Sequence, residues 1–247
     1  MKKERIAAVV LAAGKGKRMN SPDKQKVTHD LAGRPMVAYT VETLKSVRFD
    51  QIIVVVGHLK EQVIKAVGGD VLFAHQDEPL GTGDALRVAL FVIDPSIDVV
   101  LSLYGDDSAF LSKETLRFFI DAFSKSRADM ACLTVVRDDP TGLGRIVRDS
   151  REHVVRIVEE KLASDEEKRI KEVNTGVYLF TRGMLDVYLP KIQRNETGEY
   201  FLTDIVELVI NGGGAVLAHP LENTEEWFGV NSPEQLREAD ALKRGLS

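Results

Sequence analysis

Short apolar segments alternate with amphipathic segments through the first half of the chain. Residues 6–11, 52–56 and 99–103 are nearly continuous runs of apolar, mostly branched side chains. Such runs predict strands buried on both faces, as in a parallel sheet, because a strand with one solvated face alternates apolar and polar residues. Around these runs, apolar residues recur at helical spacing. The spacing predicts four helices, at residues 36–47, 60–67, 82–92 and 112–126.

The pattern changes after about Asp139, where charged turns separate shorter segments. Three further strands are predicted at residues 145–149, 154–159 and 173–181. Three further helices are predicted at residues 183–193, 203–211 and 232–246. Repetition of strand and helix with short links is typical of an α/β fold, here a Rossmann-like, doubly wound mixed sheet with a β-rich second half. No linker, low-complexity tract or internal repeat interrupts the sequence, so we expect a single domain over residues 1–247.

Composition and charge narrow the class of protein. The chain has 247 residues, 44% apolar and 29% charged, with a net charge of -5. This apolar content excludes wholesale disorder. The longest apolar run, residues 6–13, is far shorter than the ~20 residues of a membrane-spanning helix, and the first residues lack the pattern of a secretory signal. We expect a cytoplasmic protein that binds neither membranes nor, given its mild acidity, nucleic acids.

The single cysteine limits the chemistry further. Cys132 lies in an apolar run, so we expect it in the core. One cysteine excludes an internal disulfide framework and a cysteine-built metal site.

A glycine-containing loop follows the first predicted strand. Gly14 and Gly16 allow a sharp turn whose backbone N–H groups approach an anion. Met19 stands where a dinucleotide fingerprint has its third glycine, and no Gly-Lys-Ser/Thr of a P-loop follows. Residues 15–26 carry five cations against the single acid Asp23. A solvated basic loop is one interpretation, but a polyphosphate cradle at the carboxyl edge of the sheet is favoured.

Acidic and polar residues follow two other predicted elements. The strand ending near Tyr104 is followed by Gly105, Asp106 and Asp107, which either form a turn or supply Mg²⁺ with hard oxygen ligands. Gly81 precedes Thr82, a candidate cap for the helix that follows, and Gln76 lies nearby. A basic cradle and an acidic metal ligand on one sheet edge indicate phosphoryl or nucleotidyl transfer with a metal.

Taken together, these motifs resemble those of the sugar-phosphate nucleotidylyltransferases. The resemblance begins with residues 11–19, 25–27, 76–85 and 104–106. It continues in order through residues 139–146, 157–161, 172–176, 198–204 and 229–231. This second series is most similar to the uridylyltransferase domain of bacterial enzymes that combine N-acetylglucosamine-1-phosphate uridylyltransferase with glucosamine-1-phosphate acetyltransferase. The resemblance implies a nucleotide-diphospho-sugar transferase fold. Its nucleotide-binding half would span about 1–110 and its sugar-binding half about 111–230, with a metal ligand and helix in 231–247.

The resemblance also implies a role for particular residues. The catalytic cations that contact the triphosphate would be Arg18 and Lys26. The ligands of Mg²⁺ would be Asp106 and Asn231. Uracil would be bound by Ala12, Ala13, Gly14, Gln76, Gly81 and Thr82. The sugar would be bound by Tyr104, Gly144, Glu159, Asn174 and Thr203.

The activity implied is transfer of UMP from UTP to N-acetylglucosamine-1-phosphate, giving UDP-N-acetylglucosamine and pyrophosphate for cell-wall or other glycan synthesis. No partner protein is implied, and acetyl transfer is not expected because the acetyltransferase repeats do not follow in this sequence. Two alternatives remain open: a different sugar-1-phosphate or dTTP as substrate, and a nucleotide-sugar-binding protein without catalysis.

Two departures from the family pattern motivate those alternatives. Asp107, Ser108 and Ala109 stand where a small apolar residue and a proline are usual, which places a second carboxylate beside Asp106. Gln25 replaces the proline that usually precedes Lys26. Because proline restricts the backbone, its loss predicts a looser segment at the residue that must reach the phosphates.

Overall fold

The strands and helices of the chain are taken from a computed structural model that describes residues 4–245. The strands are β1 Ile6–Leu11, β2 Asp30–Leu31, β3 Arg34–Pro35, β4 Gln51–Val56, β5 Leu72–His75, β6 Val99–Tyr104, β7 Met130–Val136, β8 Arg145–Arg148, β9 Val154–Val158, β10 Glu172–Thr181 and β11 Val216–Pro220. The helices are α1 Met36–Val47, α2 Lys60–Val67, α3 Thr82–Leu90, α4 Lys113–Ser126, α5 Arg182–Tyr188, α6 Asp204–Asn211 and α7 Pro233–Gly245. Residues 1–3, which belong to the segment considered as a secretory signal, lie outside the described part. Leu246, the predicted last residue of the final helix, lies outside it too.

A mixed sheet passes through both halves of the chain. Its strands lie in the order β11-β7-β10-β6-β1-β4-β5, with β8 and β9 branching from β10. The β6-β1-β4-β5 portion is parallel, whereas β10 runs antiparallel to both of its main neighbours, β6 and β7. The α/β fold with a central mixed sheet, predicted from the sequence, is therefore confirmed.

Helices cover both faces of the sheet. Along β1, Ala7 and Val9 face a core cluster that includes residues of α3, α5 and α6. Ala8 and Val10 face the opposite cluster, which includes residues of α1, α2 and α4. Both sets are fully buried, which explains why β1 is continuously apolar in sequence.

The four parallel strands end level with one another. Leu11 at the end of β1 pairs with Val55 of β4 and with Tyr104 of β6, and Val56 pairs with His75 of β5. The loops that follow these strands therefore leave from one edge of the sheet. This is the edge at which open α/β sheets bind ligands.

The predicted elements of the first half agree closely with the structure. The start of α4 is also as expected, because the Ser112 hydroxyl accepts a hydrogen bond from the Thr115 N–H at 3.1 Å. The predicted helix over 183–193 instead ends at Tyr188 and continues as a 3-10 turn over Leu189–Lys191. Pro190 explains this break, because it has no N–H to donate to the preceding turn. Cys132 is fully buried in β7, as predicted.

Among residues 4–245, no helix has both the length and the apolar content needed to cross a membrane.

Candidate active site

Two cations and two oxygen ligands meet at the carboxyl edge of the sheet. The Lys26 ammonium forms an ion pair with the Asp106 carboxylate and donates to Asn231 Oδ1 at 2.9 Å. Arg18 Nη2 donates to the same Asn231 oxygen at 2.7 Å. Three chain segments, the glycine loop, the loop after β6 and the residues before α7, therefore converge on one point. These are the four residues that the sequence assigns to catalysis and to Mg²⁺.

The contact between Lys26 and Asp106 is largely removed from solvent. Their side chains are 16% and 9% exposed. Burial acts to lower the pKa of Lys26, but the charges of Asp106 and Asp107 outweigh it and hold that pKa above the ordinary lysine value. Lys26 is therefore a positive charge at physiological pH, and it is less accessible to solvent than the exposed Arg18 side chain.

The glycine loop closes tightly over the Lys26 side chain. Gly16 has a φ of +59°, and a Cβ at this position would lie 2.7 Å from Lys26 Cβ. Gly16 thus meets two requirements for glycine, a left-handed backbone and a close approach. Ala12, Ala13 and Gly14 form the beginning of this loop, where the Ala12 N–H donates to Val55 O at 3.0 Å.

Gln25 does not loosen the segment before Lys26, and that prediction was wrong. Its side chain is 1% exposed and donates to Ala12 O at 2.8 Å and to Gly14 O at 2.9 Å. The same carboxamide accepts a hydrogen bond from the Val27 N–H at 2.7 Å. Side-chain hydrogen bonds thus restrain the segment in place of a proline ring.

Asp107 contacts backbone near the proposed metal ligands. Its Oδ1 accepts a hydrogen bond from the Val230 N–H at 3.1 Å, one residue before Asn231. Burial, followed by the charge of Asp106, raises the pKa of Asp107 to about 7. The second carboxylate therefore ties the loop after β6 to the segment that carries Asn231.

The residues assigned to uracil lie beside the glycine loop and are held by internal contacts. Gln76 is 6% exposed, and its amide group donates to Gly81 O at 3.0 Å and to Asp84 Oδ2 at 2.9 Å. The Thr82 hydroxyl accepts from the Leu202 N–H at 3.0 Å and does not cap α3, contrary to the prediction. The side chains of Gln76 and Thr82 therefore shape this loop, and the Gln76 carbonyl oxygen is the part that can accept from a base.

Gly57 belongs to the same region but was not among the residues chosen from the sequence. A Cβ on Gly57 would lie 2.8 Å from Gln76 O and 3.0 Å from Ala13 Cβ. The next residue, His58, donates its N–H to Ala13 O at 3.3 Å. A glycine directly after a buried parallel strand was the available signal for this residue.

The residues assigned to the sugar come from separate segments of the second half of the chain and lie close together in space. A Cβ built on Gly144 would lie 3.6 Å from Asn174 Cβ and 3.7 Å from Glu159 Oε1. The Thr203 hydroxyl donates to Glu159 Oε1 at 3.2 Å. Burial raises the pKa of Glu159, against the opposing effect of the Thr203 hydrogen bond. Acceptor and donor groups thus lie close together here, and such groups can bind sugar hydroxyl groups.

Tyr104 joins the two groups of residues. It ends β6, and its hydroxyl is hydrogen-bonded to Thr82 of the loop assigned to the base. Burial, with the nearby Glu159 carboxylate, raises the pKa of Tyr104 well above the ordinary tyrosine value, so the phenol stays protonated. Its ring packs on Gly176, where a Cβ would lie 2.1 Å from the ring atom Cε2.

Alanine at position 176 should destabilise the fold. Gly176 has a φ of +77°, so the added Cβ meets both backbone strain and the Tyr104 ring. We expect Gly176→Ala to lower the free energy of unfolding by about 3 kcal/mol and the Tm by about 6–12 °C, measured by thermal denaturation. Gly183→Ala is the matched control, because Gly183 lies in α5 with nothing within 4 Å of its Cβ position. A Gly176→Ala protein with the same Tm as the control would contradict the close contact between Gly176 and the Tyr104 ring.

The Asp106–Asn231 pair fits a magnesium ion. The carboxylate and the amide oxygen already meet at a single cation, the Lys26 ammonium, so both oxygens can face one point. Both are hard oxygen donors, and Mg²⁺ takes one or two protein ligands when phosphates and water supply the rest. Within residues 4–245 there is no group of three or more His, Cys, Asp or Glu side chains that could hold a metal.

Comparison with known proteins shows the family of this chain. The profile of the family described as Nucleotidyl transferase matches residues 7–244. The chain is 45% identical over 236 residues to the Bifunctional protein GlmU of Burkholderia orbicola, covering 95% of this chain and 51% of that protein. It is 43% identical over 242 residues to the protein of the same name from Caldanaerobacter subterraneus subsp. tengcongensis, covering 98% of this chain and 52% of that protein. The chain thus spans about half the length of these relatives.

A solved structure shares the fold at lower sequence identity. The crystal structure of a putative glucose-1-phosphate thymidylyltransferase from Bacillus anthracis, in complex with a sucrose, superposes with a TM-score of 0.81 at 22% identity. The match covers 98% of this chain and 96% of that one. Because the family profile extends over nearly the whole described chain, the protein belongs to the nucleotidyl transferase family.

Proposed function

We propose that the chain transfers UMP from UTP to N-acetylglucosamine-1-phosphate in a Mg²⁺-dependent reaction that releases pyrophosphate. The observation that carries this proposal is the meeting of Lys26, Asp106 and Asn231 at the carboxyl edge of the sheet. A buried cation beside two metal-binding oxygens suits a reaction between two polyanions.

The proposed step needs charge neutralisation and alignment more than proton transfer. A phosphate oxygen of the sugar phosphate attacks the α-phosphorus of UTP, and the bond to the bridging oxygen of the β-phosphate breaks. The attacking oxygen is already anionic, so no general base is required, and pyrophosphate leaves with the bond electrons. The main barrier is repulsion between the two phosphate groups, which fixed positive charges reduce.

Each residue of the cluster has a distinct task in this step. Lys26 presents a buried charge to the α-phosphate, and Arg18 presents an exposed one to the outer phosphates. Asp106 and Asn231 would hold Mg²⁺, which supplies further positive charge to the phosphate oxygens. The sugar is oriented by the surface that Gly144, Glu159, Asn174 and Thr203 form. This orientation lets its phosphate attack the α-phosphorus in line with the leaving group.

Two observations bear on the identity of the substrates. The relatives named Bifunctional protein GlmU share 43–45% identity with the chain, and its motif resemblance to a uridylyltransferase domain supports a uridine nucleotide and an N-acetylated amino sugar. The structural neighbour named a putative glucose-1-phosphate thymidylyltransferase shares only the fold at 22% identity. The departures from the family pattern at residues 107–109 keep another sugar-1-phosphate or dTTP as the alternative substrates.

Pyrophosphate release in a matrix of substrates tests the proposal. UTP and dTTP would each be combined with N-acetylglucosamine-1-phosphate and glucose-1-phosphate, with Mg²⁺ and with chelator. We expect rapid release only with UTP, the N-acetyl sugar and Mg²⁺. Release with another pair would keep the chemistry and change the specificity. Binding of UDP-N-acetylglucosamine without release from any pair would instead favour a non-catalytic binding protein.

A further inference from the structure

Gln25 organises the glycine loop through a single buried carboxamide. Both hydrogens of its amide nitrogen are used, one by Ala12 O and one by Gly14 O, and its oxygen accepts from the Val27 N–H. The side chain thereby joins the loop after β1 to the backbone that flanks Lys26. No role in binding or catalysis has been assigned to Gln25 above.

These contacts decide which way the loop amides face. In a trans peptide, the carbonyl of one residue and the N–H of the next point in opposite directions. Residues 4–245 contain no cis peptide bond. Because Ala12 O and Gly14 O are held toward Gln25, the N–H groups of Ala13 and Lys15 face away from it. Across the described residues, neither N–H donates to a protein acceptor, so both are available to an anion.

A second glutamine, Gln62, fixes the backbone of Gln25. Gln62, in α2, accepts hydrogen bonds from the Gln25 N–H at 2.9 Å and from the Thr28 hydroxyl at 3.3 Å. Its amide nitrogen donates to Asp23 O at 2.7 Å. The Thr28 hydroxyl also donates to Gln25 O at 2.8 Å. Both sides of Lys26 are therefore fixed to a helix that takes no part in the site.

We propose that Gln25 is a positioning residue, aligned by Gln62, that turns the Lys15 N–H outward toward the phosphates and sets the direction of Lys26. The same contacts turn the Ala13 N–H outward toward the base to which Ala13 is assigned. The proposal rests on the proposed function in taking the anion to be a polyphosphate chain. It does not depend on which base or sugar is attached. Buried carbonyl groups that lose their donors rotate toward water or other partners, and their peptide N–H groups rotate with them.

Binding of inorganic tripolyphosphate with Mg²⁺ tests this without base or sugar. Gln25→Met keeps the length and neutrality of the side chain and removes its polar atoms. We expect tripolyphosphate to bind about tenfold to 100-fold more weakly to this variant, measured by calorimetry. Gln193→Met is the control, because Gln193 is exposed and its amide donates to the Lys191 carbonyl at 3.0 Å, far along the chain from the loop. The control should bind as the unaltered chain does.

Amide hydrogen exchange of Val27 in the ligand-free protein supplies a second readout, because the Val27 N–H donates to the Gln25 carboxamide oxygen. Exchange should quicken in Gln25→Met and stay unchanged in the control. Gln62→Met should also weaken tripolyphosphate binding. This variant replaces Gln25→Met in the experiment if Gln25→Met does not fold. A lowered Tm with unaltered tripolyphosphate affinity would overturn the positioning role. Tripolyphosphate binding without turnover of any substrate pair would count against the proposed function and leave this inference standing.

Discussion

Replacing Lys26 with alanine is expected to reduce kcat by about 100- to 1000-fold, the usual effect of losing one preorganised charge-stabilising group. Lys26 is the buried cation of the site, in contact with both Asp106 and Asn231. Its charge is already desolvated and oriented, so little reorganisation is needed when charge develops at the α-phosphorus. Water that replaces it in the variant carries no net charge. The rate of pyrophosphate release under saturating substrates measures the effect.

Lys24→Ala provides the matched control for that experiment. Lys24 lies two residues away, and its ammonium pairs at 3.1 Å with Asp30 on the surface, where its side chain is 40% exposed. Exposed pairs contribute little, so this variant should keep its activity. Because Lys26→Ala leaves Asp106 and Asp107 without their cation, circular dichroism should establish that both variants are folded. Equal activity of the two folded variants would remove Lys26 from the reaction.

Replacing Asp106 with asparagine is expected to lower kcat/KM by about 100- to 1000-fold and to raise the Mg²⁺ concentration needed for half-maximal activity. The asparagine keeps an oxygen in place and removes the negative charge that attracts the metal. It also removes the ionic partner of Lys26. A titration of activity with Mg²⁺ separates the two effects, because a loss of metal affinity is overcome at high Mg²⁺ and a misplaced Lys26 is not.

Asp138→Asn is the control for this substitution. It makes the same change of charge on a fully exposed carboxylate that pairs with Lys171 at the surface. Its Mg²⁺ dependence should equal that of the unaltered chain. An Asp106→Asn enzyme with the same Mg²⁺ dependence as this control would contradict the assignment of Asp106 as a metal ligand.

The first half of the fold could be predicted because burial on both faces leaves a clear mark on sequence. β1, β4 and β6 are continuous apolar runs, and each lies between two helical layers. β5 and β11 were not predicted, because they are short and, apart from Ala74, not fully buried, so their side chains carry a weaker apolar signal. β7 was not predicted as a strand either, although its apolar run was recognised as the surroundings of Cys132. The hairpin of β2 and β3 has two residues in each strand, too few to show any periodicity.

Candidate site residues could be chosen from the sequence where the expected chemistry requires a particular type of side chain. Asp106 after a buried strand and Lys26 in a basic loop are of this kind. The ion pair between them and the hydrogen bond from Lys26 to Asn231 could not be predicted, since both depend on how three distant segments fold together. Gln25 was misjudged because a glutamine in sequence gives no sign of its partners. Its restraint comes from backbone carbonyl groups, which every residue possesses.

The position of β10 has a consequence for how the chain can be divided. β10 comes from the half assigned to the sugar, yet it pairs with β6, the last strand of the half assigned to the nucleotide. A fragment ending near residue 110 would leave the hydrogen-bonding groups of β6 exposed along a flat, apolar border, which invites pairing with other chains. The two assigned halves therefore do not correspond to separable folding units.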